Sequence, residues 1–265
     1  HGGVQPALPV LSGLGTGPVA SEEVYSFPLE PDEAIVQARN MRASSVAFTY
    51  TEPVVFFEYA MSVSARAREA GLLSLVHTAG FIREEPLEEL CRVTDAFNID
   101  LKGFTEEYYR ELCSGELEPV LNTLRTIRKN GIHREITTLI VPTRNDDPAM
   151  IRDMAQWIRD ILGADTPIHF TRFYPLYKLR NLSPTPAASL ERAREAALSA
   201  GLRYVYIGNV PGNEGENTFC PDCGKTVIDR TGFMVNEINF DQGRCRFCGF
   251  SIPGIWETGR VSQES

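Results

Sequence analysis

The chain has 265 residues, of which 43% are hydrophobic and 23% are charged, and its formal net charge is −9. This length and composition predict one large globular unit, or one domain with a small appendage. The acidic balance and the lack of clustered lysine and arginine disfavour nucleic acid as a partner. There is no apolar run near the roughly 18 residues of a membrane span and no basic signal-peptide segment, so we expect a cytoplasmic protein without a membrane partner.

Strands and helices are predicted to alternate from about residue 31. Helices, several of them begun by proline or ended by glycine, are predicted over 31–41, 54–70, 86–93, 106–112, 119–130, 148–162 and 187–200. Strands are predicted over 45–50, 73–78, 96–102, 135–141, 168–173 and 203–207. Short connections between alternating elements are typical of parallel strands joined by helical crossovers.

Six predicted strands leave two α/β architectures open, a doubly wound sheet and a partial (β/α) barrel. A doubly wound sheet usually carries a glycine-rich phosphate turn after its first strand, whereas residues 49–53 read TYTEP. The partial barrel is therefore favoured. We divide the chain into an irregular segment (1–30), a barrel (31–210), a cysteine-containing module (211–256) and a tail (257–265).

Residues 97–104 read FNIDLKGF, and apolar and polar residues alternate along this predicted strand. Asp100 and Lys102 share one face, with Cα atoms about 6.6 Å apart. They either form a salt bridge with each other or share a bound ligand. Asn98 on the same face, and Glu52 expected nearby after the first predicted strand, favour a ligand-lined opening at the carboxyl ends of the strands.

Four cysteines form two Cys-x2-Cys pairs separated by 21 residues: Cys220, Cys223, Cys245 and Cys248. Four thiolates in two such pairs predict a closed tetrahedral metal site, with structural zinc favoured and a rubredoxin-like iron as the alternative. Cys91 and Cys113 have no partner spacing, and we expect them to be small buried side chains.

Several motifs together resemble one family. They are residues 49–53 (TYTEP), 98–103 (NIDLKG), 204–212 (YVYIGNVPG) and the two cysteine pairs, with 170–179 (FTRFYPLYKL) and 214–218 (EGENT) in addition. The combination resembles the radical SAM enzyme of the AmmeMemoRadiSam system, which is related to the pyruvate formate-lyase activating enzymes. The resemblance extends from about residue 31 to residue 256.

The resemblance implies a partial (β/α) barrel that holds S-adenosyl-L-methionine (SAM) against a 4Fe-4S cluster. One electron cleaves SAM into methionine and a 5′-deoxyadenosyl radical, which abstracts hydrogen from a substrate. Glu52 would receive the methionine ammonium, Asp100 and Lys102 would lie near the SAM or substrate pocket, and Thr138 and His169 would line it. The expected partners are an electron donor and an unidentified substrate, for which a protein of the same system is one candidate.

The sequence departs from the family in one respect. The family holds its cluster with a Cys-x3-Cys-x2-Cys loop after the first strand, and these 265 residues contain no such motif. Either the sequence is an incomplete piece, with residues 1–30 the remnant of a truncated first barrel unit, or it is a degenerate relative. The first interpretation predicts a radical SAM enzyme; the second predicts a non-catalytic barrel and zinc ribbon that bind or scaffold other molecules.

Overall fold

The structure is a computed structural model that describes residues 28–49, 51–176 and 179–256. The helices are α1 (Pro31–Asn40), α2 (Phe57–Glu69), α3 (Glu84–Cys91), α4 (Glu106–Tyr108), α5 (Leu117–Lys129), α6 (Pro148–Trp157) and α7 (Ala187–Ser199). The strands are β1 (Ser45–Phe48), β2 (Leu73–Thr78), β3 (Ala96–Asp100), β4 (His133–Ile140), β5 (Ile168–Arg172), β6 (Val205–Gly208), β7 (Thr218–Phe219), β8 (Thr226–Thr231), β9 (Met234–Ile238), β10 (Phe240–Asp241) and β11 (Arg244–Cys245).

The first six strands form one parallel sheet in the order β1-β2-β3-β4-β5-β6. A doubly wound sheet reverses its strand order at a switch point, and this sheet does not. Among the described residues, β1 and β6 do not pair with each other, so the barrel is open. The predicted α/β partial barrel is confirmed.

The main core lies between the sheet and its helices. Phe97, Ile99, Ile136 and Phe170 point to the helical side and are at most 1% exposed. Because successive strand residues point to opposite faces, the intervening residues point away from the helices. Apolar burial on the helical side fixes the register of each strand and therefore which side chains occupy the other face.

That other face is polar. We call it the polar face and define it by His77, Asn98, Asp100, Glu135, Thr137, His169 and Tyr206. Its members are half-buried. Asp100, Thr137, His169 and Tyr206 follow one another across β3 to β6 in register. Side chains far apart in the sequence are thereby neighbours on one surface.

Residues after β6 form a small β module, which we call the ribbon (residues 214–256). It contains the antiparallel sheet β7-β8-β9 and the hairpin β10-β11. Its core includes Cys220, Val227 and Ile252 together with Tyr204, which immediately precedes β6. The ribbon therefore packs directly on the last unit of the barrel.

Two helices differ from their predicted form. The helix predicted over 148–162 is α-helical to Trp157 and continues as a π-helical turn over Ile158–Leu162. The helix predicted over 106–112 is one α-helical turn followed by a π-helical turn over Tyr109–Cys113. A sequence period near 3.6 does not reveal one added residue per turn, so these bulges were not predicted.

Strand β4 begins two residues before its predicted start because His133 already pairs with Ala96. The predicted segment 1–30 lies almost entirely outside the described residues, and the tail 257–265 lies wholly outside them. No helix in the described ranges is both long and apolar enough to cross a membrane.

Candidate functional site

Glu52 lies just beyond β1 and is bound to the end of β2. Its carboxylate accepts hydrogen bonds from the Thr78 hydroxyl and from the Ala79 backbone N–H, the latter at 2.8 Å. The same carboxylate accepts from the Val54 backbone N–H at 3.4 Å, at the start of a 3₁₀ turn that opens with Pro53. Glu52 is thus fixed at the carboxyl end of the sheet.

Asp100 is the last residue of β3 and contacts two basic side chains, Lys102 and His77. Lys102 Nζ donates to Asp100 Oδ2 at 2.9 Å, and His77 Nε2 lies 2.9 Å from Asp100 Oδ1. The Lys102 side chain is only 9% exposed. Its backbone N–H donates to the Tyr109 hydroxyl at 3.1 Å, which holds the chain after β3 in place.

These charges stabilise one another. Burial alone would raise the pKa of Asp100, but Lys102 and His77 outweigh it and hold that pKa well below its usual range. Burial would lower the pKa of Lys102, yet the charge and hydrogen bond of Asp100 raise it. The hydrogen bond to Asp100 also raises the pKa of His77. Asp100 is therefore anionic and Lys102 cationic at neutral pH.

The hydrogen-bonding groups at the carboxyl end of the sheet fit the amino-acid part of SAM. An ionised carboxylate has about four acceptor positions, and the described donors to Glu52 are three. An ammonium has three donors. Within the described residues, Lys102 Nζ donates to Asp100. Glu52 thus retains capacity for an ammonium and Lys102 for a carboxylate. The negative charge of Glu52 also acts on Lys102.

A second cluster occupies the polar face nearer its centre. Glu135 lies between two imidazoles, with Oε2 2.7 Å from His169 Nε2 and Oε1 3.3 Å from His133 Nε2. Burial would raise the pKa of Glu135, but hydrogen bonds and charges from both histidines outweigh it and lower that pKa well below its usual range. The ring of Tyr206 stacks on His169. Of this cluster, only His169 was predicted from the sequence.

The structure brings Glu52, Asp100 and Lys102 together at the carboxyl edge, and it places His169 on the same polar face. It does not bring Thr138 there. Thr138 is fully buried and points to the helical side, where its hydroxyl donates to the Leu101 carbonyl at 2.8 Å. Its neighbour Thr137 faces the polar side instead and donates to Asn98 Oδ1 at 2.9 Å.

The four ribbon cysteines form a candidate metal centre. Their sulfurs lie within 4.8 Å of one another, with Cys220 Sγ 3.5 Å from Cys248 Sγ and Cys223 Sγ 3.8 Å from Cys245 Sγ. A tetrahedron with metal–sulfur bonds of about 2.3 Å has edges of about 3.8 Å. The thiolates therefore fit zinc, and they fit iron equally well in this geometry.

Outside the ribbon, no cysteines of this sequence fit the iron–sulfur cluster that the resemblance implies. The cysteines outside the ribbon are Cys91 and Cys113, and both are buried as expected. Neither belongs to a Cys-x3-Cys-x2-Cys motif. The residues of this chain therefore support no chemical step through such a cluster.

A cavity of about 710 Å³ lies at the opposite, amino end of the sheet. It is lined by residues preceding or beginning β2 to β5, such as Leu73, Thr94 and His133, and by 253–255 of the ribbon. Because Glu52 and Lys102 lie at the other end of the strands, we do not assign this cavity to SAM.

Known proteins similar to this chain agree with the fold. The profile of the radical SAM superfamily matches residues 18–158. An uncharacterized protein, MJ0808 of Methanocaldococcus jannaschii, is 44% identical over 233 residues, which cover 87% of this chain and 69% of the relative. The pyruvate formate-lyase 1-activating enzyme of Escherichia coli strain K12 is 22% identical over 189 residues, covering 66% of this chain and 76% of that enzyme.

Solved structures resemble the chain in fold. A domain of the pyruvate-formate lyase-activating enzyme from Bacteroides vulgatus aligns with a TM-score of 0.55 at 20% identity, over 63% of this chain and 100% of that one. SuiB of Streptococcus suis, bound to S-adenosylmethionine, aligns with a TM-score of 0.58 at 12% identity, over 70% of this chain and 44% of that one. With the profile match across more than half of its length and a relative at 44% identity, the chain belongs to the radical SAM superfamily.

Proposed function

We propose that this chain is the SAM-binding part of a radical SAM enzyme that abstracts hydrogen from its substrate. One observation carries the proposal: the Glu52 carboxylate is held at the end of β2, beside the half-buried Asp100 and the buried Lys102. That arrangement offers an acceptor for an ammonium and a donor for a carboxylate at one edge of the sheet. Parallel α/β folds bind their ligands at this edge.

In this proposal, Glu52 accepts hydrogen bonds from the methionine ammonium of SAM, and Lys102 donates to its carboxylate. Asp100 keeps Lys102 charged and oriented. When bound, SAM would supply a 5′-deoxyadenosyl group, whose release from methionine requires one electron that the residues of this chain do not provide. The substrate lies along the polar face, where His169 is half-buried and open to a ligand.

Further parts of the proposal rest on the sequence. The motifs at 49–53, 98–103 and 204–212 support membership of the AmmeMemoRadiSam system, with a protein substrate of that system and a separate electron donor. The cysteine pairs support a structural zinc in the ribbon and a reducing, cytoplasmic location. We retain the division into segments 1–30, 31–210, 211–256 and 257–265 as part of this proposal.

A second candidate function is a non-catalytic protein in which the barrel and ribbon bind or scaffold other molecules. The observation that favours it is the lack of a Cys-x3-Cys-x2-Cys motif in these 265 residues. A scaffold has no requirement for the donor set around Glu52, whereas a SAM enzyme does. SAM affinity therefore separates the two functions.

The experiment is calorimetric titration of SAM into the full chain, Glu52→Gln and the control Glu58→Gln. Glu58 is exposed on α2, only six positions from Glu52. We expect Glu52→Gln to weaken binding about 10- to 100-fold, the effect of losing a charge-assisted hydrogen bond. Glu58→Gln should bind as the wild type does. Wild-type chain that binds no SAM overturns the proposal and leaves the scaffold function. Equal binding by all three proteins overturns the role of Glu52 as the acceptor for the ammonium.

A further inference from the structure

A chain of contacts leads from the ribbon cysteines to the polar face. Tyr206 and His169 face each other across β5 and β6. Their rings stack with centroids 4.9 Å apart and planes 18° apart. On its other side, His169 Nε2 lies 2.7 Å from Glu135 Oε2. Two contacts therefore set the plane and the direction of the His169 ring.

The ribbon holds Tyr206 in turn. The Tyr206 hydroxyl lies 3.0 Å from Thr218 Oγ1 in β7, and Arg230 Nη1 donates to the same threonine oxygen at 2.8 Å. The Arg230 guanidinium carbon is 6.0 Å from the centre of the Tyr206 ring. Thr218 precedes Cys220 by two residues, so the segment that holds Tyr206 leads directly into the metal centre.

The ribbon core depends on the cysteines. Its buried residues are Tyr204, Cys220, Val227, Ile228, Cys245 and Ile252, and Tyr206 packs against them. Two of those six are candidate metal ligands. So small an apolar cluster does not stabilise a module by itself, and structural zinc commonly provides the missing folding energy. Loss of the metal should therefore release Thr218 from Tyr206.

We propose that the metal bound by the four ribbon cysteines fixes His169 through Tyr206, so that His169 presents one free ring nitrogen to the substrate. Tyr206 is then a positioning residue, and the ribbon takes part in building the substrate surface. This inference rests on the proposed function only where it places the substrate on the polar face.

The Glu135 carboxylate determines which ring nitrogen of His169 is free. An ionised carboxylate only accepts hydrogen bonds, so the His169 nitrogen that faces it carries the proton. That nitrogen is Nε2, and in the neutral imidazole Nδ1 is then the acceptor. A substrate that meets His169 therefore offers an O–H or N–H donor. Within the described ranges, the group of three or more side chains whose ligand atoms lie close enough together to share one metal ion is the ribbon cysteines. We therefore do not assign a metal to His133, Glu135 and His169.

The first test is nuclear magnetic resonance of the histidine side chains in the ¹⁵N-labelled full chain, with zinc bound and after chelation. The sequence has four histidines, so each ring can be assigned by substitution. We expect chelation to shift the ring signals of His169 and to leave the ring signals of His77 unchanged. His77 contacts Asp100 at the far side of the polar face. Unchanged His169 signals after zinc loss overturn the inference. Equal changes at both histidines also overturn it, because they indicate general loosening of the barrel.

Two variants of Tyr206 distinguish positioning of the His169 ring from a general effect on protein stability. Tyr206→Phe keeps the ring stack and loses the hydroxyl contact to Thr218, so the response of His169 to chelation should shrink. Tyr206→Leu removes the stack, so His169 should already show shifted signals with zinc bound and should respond no further. If Tyr206→Leu responds to chelation as the wild type does, the coupling does not pass through Tyr206.

The free nitrogen is tested with diethyl pyrocarbonate, which acylates an unprotonated, accessible imidazole nitrogen. The His169 side chain is 29% exposed. We expect His169 to be acylated in the zinc-bound chain, and faster in Glu135→Leu, where no carboxylate faces Nε2 or favours the protonated ring. Unreactive His169 in the zinc-bound wild type refutes a free acceptor. Neither readout needs SAM, so failure here and failure of the SAM titration are distinguishable.

Discussion

Lys102 Nζ lies 2.9 Å from Asp100 Oδ2, and the two residues stand two positions apart at the end of one strand. Lys102 is almost wholly buried, so this pair is part of the folded structure whether or not a ligand is bound. The two alternatives left by the sequence, a salt bridge and a ligand-facing pair, are therefore compatible in the structure. They make different predictions when the two charges are removed separately and together.

Lys102→Met should destabilise the protein by about 1–3 kcal/mol, because it leaves the half-buried Asp100 carboxylate with His77 alone. The double variant Asp100→Asn/Lys102→Met should recover part of that loss, because no uncompensated charge remains. Urea denaturation measures both. If the double variant regains stability but not SAM affinity, the pair also binds ligand; a double variant that binds SAM as the wild type does shows a purely structural pair.

The ring of His77 should titrate above its ordinary pKa of about 6.5, because Asp100 raises its pKa. In Asp100→Asn that pKa should fall below the wild-type value, since the hydrogen bond and the charge are lost and burial remains. Histidine ring signals followed against pH measure it. Asp153→Asn, an exposed substitution on α6, is the control and should leave His77 unchanged. An unchanged pKa in Asp100→Asn would contradict the contact.

The same shifts set the pH range of stabilisation. His77 has a raised folded-state pKa, so its contribution is complete below about pH 6.5 and is lost as the pH rises through the folded-state pKa. Asp100 has a lowered pKa, so its contribution is present above about pH 3.9 and is lost as the pH falls. We expect the interaction of His77 with Asp100 to stabilise most between these limits. Urea midpoints of wild type and Asp100→Asn across pH 3 to 9 test this, and a constant difference would contradict it.

Much of the architecture could be predicted because local pattern and global fold agree. Strand β2 has its predicted bounds, and Asp100 and Lys102 were placed together from alternation alone. The cluster around Glu135 could not be predicted in this way. His169 is 34 residues away along the chain, and the contact depends on the register between β4 and β5. The alternation of side chains along β4 contained one signal that was missed. Glu135 and Thr137 share one face of the strand, whereas Thr138 lies on the other face.

Cys220→Ser should lower the bound metal from one ion per chain to a substoichiometric amount and unfold the ribbon. The control Cys91→Ala should keep full metal content, since Cys91 lies in the barrel core. Elemental analysis after anaerobic reconstitution with iron and sulfide identifies the metal. About one zinc and negligible iron supports the ribbon site; about four irons would mean that a cluster has assembled on these cysteines, contrary to our assignment.

Gly103→Ala should destabilise the protein by about 1–3 kcal/mol, the usual cost of overpacking. A Cβ at Gly103 would lie 2.6 Å from Cδ1 of the buried Tyr108 ring. Gly115→Ala is the matched control, because its nearest neighbour would be an ordinary 3.6 Å contact with Phe81. Urea denaturation of both should show loss only for Gly103→Ala. Equal stability would mean that Tyr108 moves aside without cost.

The sequential strand order has a consequence for synthesis of the chain. Within the part of the chain that the structure describes, each strand from β1 to β6 pairs only with its nearest neighbours along the sequence, so the loops closed at each step are short. The sheet can therefore grow one unit at a time as the polypeptide leaves the ribosome. Tyr204 and Tyr206 come at its last step, before the ribbon residues that pack on them. We therefore expect the ribbon to assemble on a barrel that is already in place.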